Sequence, residues 1–148
     1  MRPEIIYKEK KAMKESQVRQ TNTTALAFMG DAAYEVYVRE KLMETGIPQV
    51  KKLHRKCVLY VKAENQAIAM TTMFDELTED EQALVKRARN RHVATKAKNA
   101  SLMAYKWATA FEALIGYHYL MGNQERMKEI IKKAMDIIDQ EETGGKNE

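Results

Sequence analysis

Two carboxylates stand where charge is costly. Asp31 is the only charged residue between Arg19 and Glu35, and Glu112 is the only acid or base of the Asp, Glu, Lys and Arg set between Lys106 and Glu125. Each lies in a run of small and apolar residues with helical spacing, so each is expected to be mostly buried. An unpaired buried carboxylate is strongly unfavourable and needs a partner. Three partners fit. A basic side chain would make a structural ion pair, a shared proton would make a neutral dyad, and a hard cation such as Mg²⁺ would be held by both oxygens sets. Gly30, Ala32 and Ala33 flank the first acid, and Ala110, Ala113 and Gly116 the second. Such small residues let two helices cross closely and bring both carboxylates to one point. Glu35, one turn after Asp31, reads as a surface residue more readily than as a further ligand.

The charge pattern adds a second observation. The chain of 148 residues has 25 basic and 21 acidic side chains and a formal net charge of only +4. Residues 45–63 hold no acid and five bases, among them Lys52 and Arg55; residues 82–111 hold no acid and seven, among them Arg87, Arg89, Lys96 and Lys98. The remaining 99 residues carry 13 bases against 21 acids. Two concentrated basic segments on an otherwise acidic chain suit a polyanion-binding surface, although each could also be a solvated helix face. A metal held by carboxylates beside such a surface would suit phosphodiester hydrolysis.

The elements that position these residues read as helices. Only 2 Pro and 6 Gly occur, aromatics are 7%, and the apolar residues recur with a helical period. Residues 1–20 read as an N-terminal arm or a short frayed helix. The capping-rich Gln20–Thr24 run opens a helix over about 24–44, which Gly46-Ile47-Pro48 stops. Residues 49–72 read as helical with a break near 62–64. Thr78 and Glu81 have capping-box spacing. Asn90–Asn99 has poor periodicity and reads as a loop in its second half. A helix follows from Asn99 or Ser101 to about Leu120, then a Gly122-Asn123 turn and a last amphipathic helix over 124–140. Residues 142–148 read as a polar tail, so that one all-α domain of six or seven helices spans 21–141.

Several classes are excluded. Cys57 is the only cysteine, so no disulfide scaffold forms. One Cys and the scattered His54, His92 and His118 make no zinc constellation. No apolar run reaches membrane-spanning length and the N-terminus has no signal core, so a cytoplasmic location with no membrane association is expected. The three histidines read as packing or surface residues, Cys57 as a core residue, and Tyr34, Tyr37, Tyr105, Trp107 and Tyr119 as core or dimer contacts.

The two acidic segments resemble a known family. Phe28-Met-Gly-Asp31-Ala32 is similar to the ribonuclease III signature, in which an acid follows Phe-Leu-Gly. Thr109-Ala-Phe-Glu112-Ala-Leu-Ile-Gly116 resembles that family's second acidic helix. Ala32–Arg39, Lys86–Asn90 and Thr95–Asn99 match the short branch, Mini-ribonuclease III, which lacks a double-stranded-RNA-binding domain. The resemblance covers about residues 22–140. It implies an all-α, single-domain ribonuclease III-like fold and a homodimer with an interface from the Asp31 helix. It also implies Mg²⁺-dependent cutting of double-stranded RNA that leaves 5′-phosphate and 3′-hydroxyl ends, with Mn²⁺ able to substitute. For this branch it implies maturation of 23S ribosomal RNA precursors, with a ribosomal protein as a helper. Asp31 and Glu112 carry over as catalytic metal ligands. The longer ribonuclease III pattern has two more acids, and Ala27 and Thr109 stand in their places here. Arg87, Arg89, Lys96, Lys98, Asn99, Lys52 and Arg55 are the candidate RNA contacts. That thinner acid set keeps one rival in view, a non-catalytic helical RNA-binding or ribosome-assembly protein.

Overall fold

A computed structural model describes residues 13–92 and 99–146, and among these there are seven α-helices and no strand. They are α1 (Glu15–Gln20), α2 (Thr23–Glu44), α3 (Val50–Val61), α4 (Ala63–Met73), α5 (Glu79–Arg89), α6 (Asn99–Met121) and α7 (Gln124–Lys146). A single 3₁₀ turn, Phe74–Glu76, links α4 to α5.

The local chemistry sets the breaks. The Asn22 side chain accepts a hydrogen bond from the Ala25 amide at 2.8 Å and starts α2. Gly46, at φ 77°, turns the chain away after α2 in a conformation that costs a glycine little. Lys62 is extended and separates α3 from α4. Asn65 fastens that joint by donating to the Leu59 carbonyl at 2.6 Å. Thr78 and Glu81 form the expected capping box at the start of α5. One boundary differs from expectation: the last helix continues through the polar, glycine-containing segment to Lys146. The N-terminal segment holds a short helix, α1, one of the two readings its sequence allowed, and Val18 of that helix is fully buried in the core.

α6 is the central element. Its Ala110, Phe111, Ala113, Leu114 and Ile115 are completely buried, and α2, α4, α5 and α7 all pack on it. Tyr34 of α2 meets Phe111 edge-on at 4.9 Å between ring centroids and donates its hydroxyl to the Tyr60 carbonyl at 2.9 Å. The most extensive helix pair is α2 with α6, and two glycines make it. A Cβ on Gly30 would fall onto the backbone carbonyl of Glu112; one on Gly116 would fall onto that of Leu26. The two helices therefore touch backbone to backbone at this crossing, and any larger residue at either position would force them apart. No helix among the described residues is long and apolar enough to cross a membrane.

Candidate active site

The glycine crossing decides where the two isolated acids lie. Asp31 follows Gly30 on α2, and Glu112 is the residue whose carbonyl Gly30 touches on α6. Their carboxyls come within hydrogen-bonding reach of one another. Burial, and then the hydrogen bond and charge of Asp31, push the Glu112 carboxyl up to about 8, well above the usual carboxylate range. A carboxyl raised this far favours its protonated form near neutral pH. Asp31 itself is exposed and Glu112 is half-buried, which corrects the expectation that both are mostly buried. The apolar neighbours that suggested burial are themselves uncovered: Phe28 is 83% exposed and Val36 54%.

Among the described residues no basic side chain makes a salt bridge with Asp31 or Glu112. Glu35, one turn on, is bound to Arg39 at 2.9 Å. Ala27 is buried, and Thr109 turns its hydroxyl back to the Tyr105 carbonyl at 2.9 Å. Among the described residues no group of three or more His, Cys, Asp or Glu side chains is arranged to hold a metal. Two hard oxygen donors brought this close nevertheless fit a hard divalent cation, which would replace the Glu112 proton. The donor set suits Mg²⁺ with water or phosphate oxygens completing its coordination, and it does not suit a soft metal.

The ion-pair solution occurs elsewhere. Glu81 is 5% exposed, yet Arg126 grips it with two hydrogen bonds at 2.9 and 2.8 Å, and His118 Nε2 lies 2.7 Å from Glu81 Oε2. Burial pushes this carboxyl up, but Arg126, the Thr78 amide and His118 together outweigh it and hold it at about 2. Burial lowers the His118 pKa, and a neutral ring with its proton on Nε2 satisfies both Glu81 and Asn123, whose side chain lies 3.1 Å from Nδ1. The sequence showed Glu81 as a cap and His118 as a packing residue; the partnership with Arg126, 45 positions away, had no local signal. Gln66 was missed as well. It reads as part of the α4 core face with Met70 and Met73, and an amide at that spacing was its only mark.

The basic residues are distributed over two supports. Lys52 and Arg55 are exposed on α3, which packs on α2, α4 and α7. Arg87 is exposed on α5, which packs on α6 and α2, and it lines a groove with Arg19 and Arg91 beside the start of α2. Arg89 is half-buried; its guanidinium lies 5.0 Å above the Trp107 ring and Nε donates to Asn90. Lys96 and Lys98 lie outside the described residues. Asn99 is the first residue of α6.

The profile of the ribonuclease III domain matches residues 24–123, and the all-helical core agrees with it. Mini-ribonuclease 3 of Brevibacillus brevis is 45% identical over 121 residues, covering 82% of this chain and 90% of the relative. That of Thermoanaerobacter sp. is 42% identical over 115 residues, covering 78% and 81%. A crystal structure of a Fusobacterium nucleatum protein superposes with a TM-score of 0.70 at 30% identity, covering 80% of this chain and 95% of that one. The chain belongs to the Mini-ribonuclease III branch of the ribonuclease III family. It is accordingly an endoribonuclease, and RNA is its substrate.

Proposed function

We propose that this endoribonuclease is Mg²⁺-dependent and specific for double-stranded RNA, with Asp31 and Glu112 as its metal ligands. The observation that carries this reading is the approach of the two carboxyls at the Gly30–Gly116 crossing, where burial and then the neighbouring Asp31 favour the protonated form of Glu112. When bound, the cation supplies a water of lowered pKa and stabilises negative charge on the phosphoryl oxygens. The chain's own part is to hold both carboxylates rigidly on two helices that cannot slide apart, and to shed the Glu112 proton on loading. No histidine is needed as a base, in keeping with the burial of His118 against Glu81.

The rest of the reading concerns how the substrate is held. Lys52, Arg55, Arg87, Arg89, Lys96, Lys98 and Asn99 are the proposed contacts to the RNA backbone. A-form RNA presents mainly phosphates and 2′-hydroxyls, which suit these side chains. The exposed apolar stripe of Phe28, Val36 and Met43 on α2, continued by Val50 at the start of α3, supports a homodimer. Two sites on one duplex would then cut both strands, leaving 5′-phosphate and 3′-hydroxyl ends. Maturation of a 23S ribosomal RNA precursor in the cytoplasm, with a ribosomal protein as helper, is the proposed setting.

The test is cleavage of a labelled RNA duplex by purified protein. The wild type should cut with Mg²⁺ or Mn²⁺ and not with EDTA. Asp31→Asn should lower the rate at least about 10³-fold while gel-shift binding persists. An intact duplex in the wild-type lane, with clear binding, would contradict the reading and leave a helical RNA-binding protein in its place.

A further inference from the structure

Among the described residues one fully buried side-chain polar atom lacks a hydrogen-bond partner, and it is Gln66 Nε2. Gln66 is 2% exposed on α4, the helix that packs against α6 beside the catalytic pair. Native proteins seldom leave a buried amide donor unpaired, because its lost hydration is not repaid. Its side chain approaches Glu112, where a donor favours the ionised carboxylate. Thr109, one turn before Glu112, spends its hydroxyl on Tyr105 and offers nothing. A carboxylate that gives one lone pair to a metal has others to satisfy, and such outer hydrogen bonds orient ligands and tune affinity.

We propose that Gln66 is a positioning residue for Glu112: its amide N–H closes on the Glu112 carboxylate when a divalent cation engages the Asp31–Glu112 pair. Without the cation the amide lies near the Glu112 carboxyl but makes no well-formed hydrogen bond, and loading draws the two together. This rests on the metal reading above. It assigns a third helix to the site, so that α2 supplies one ligand, α6 the other, and α4 the group that aims the second.

A structural role and a positioning role predict opposite stabilities. A buried amide that helps hold the fold is missed when replaced. One that is unpaired in the metal-free state is not, and an apolar side chain of similar size packs at least as well. Gln66→Leu and Gln66→Met should therefore melt in EDTA at or above the wild-type temperature. Titration with Mn²⁺ alone, followed by the electron paramagnetic resonance signal of the free ion, should show affinity reduced by about 10–100-fold in both. Wild-type Mn²⁺ affinity in either folded variant would overturn the proposal. So would a lowered melting temperature in both, which would make the amide part of the fold. Asp31→Asn serves as the control. If it binds Mn²⁺ as well as the wild type, the metal reading itself fails and this proposal falls with it; if it does not, the result with Gln66 stands on its own.

Discussion

Glu81 and Glu112 are both acids drawn into the protein, and they end at opposite extremes. Glu81 is held at about 2 and Glu112 is pushed up to about 8. Burial disfavours the charge of each. The difference lies in what surrounds them. Glu81 has a guanidinium, a backbone amide and a histidine, and is complete within one chain. Glu112 has another acid and an amide that lies near it without a well-formed hydrogen bond. A satisfied carboxylate belongs to the fold, whereas one left in conflict marks a place where a ligand is awaited.

That contrast can be broken first by mutation. Glu81→Ala should destabilise the protein by about 3–5 kcal/mol, because Arg126 loses the charge that compensates it and the neutral His118 ring loses its acceptor. Glu112→Gln should leave stability at neutral pH equal or higher while removing cleavage, since it replaces a strained acid with its neutral shape. Chemical denaturation of both variants checks this, and similar losses from the two would contradict it.

The second way to sharpen the comparison is pH. A carboxyl with its folded pKa raised binds a proton that the unfolded chain has already lost. From Glu112 the metal-free protein is therefore most stable below pH 4.5 and loses stability as pH rises to about 8. The slope contributed is at most about 1.4 kcal/mol per pH unit. Glu81 acts with the reverse sign: its contribution is complete above 4.5 and fades as pH falls toward about 2. Denaturation between pH 5 and 8 in EDTA should show the fall for the wild type and its absence for Glu112→Gln.

The smallest expected effect concerns the basic surface. Arg87→Ala should weaken duplex binding and reduce the magnitude of the salt slope by about one unit in log–log form, as one phosphate contact is lost. Arg89→Ala should also lower stability slightly, because it removes a contact with Trp107. Equal salt slopes for wild type and Arg87→Ala would remove that residue from the RNA surface.

Much of this was legible in the sequence, and for physical reasons. Capping residues, Gly46 and the Thr78–Glu81 box act locally, so they mark helix limits without tertiary knowledge. Gly30 and Gly116 flagged close approach because only small residues permit it. The acids Asp31 and Glu112 stood out because their surroundings are uncharged. What remained hidden depended on contacts far apart in the chain. The pairing of Glu81 with Arg126 and the approach of Gln66 to Glu112 exist only after α4, α5, α6 and α7 have packed. The exposure of Asp31 was misread because an apolar helix face was assumed to be covered within one chain, while Phe28 and Val36 are open. The end of α7 was misread because polar residues and glycines lower helix propensity without forbidding a helix that is already formed.

The central claim is that Asp31 and Glu112 together hold the catalytic cation. Anomalous diffraction from a crystal soaked in Mn²⁺ tests it most directly. The account predicts a peak coordinated by both carboxylates, with Gln66 Nε2 drawn to the free oxygen of Glu112. Full Mn²⁺ occupancy at other side chains, with no peak between Asp31 and Glu112, would contradict it.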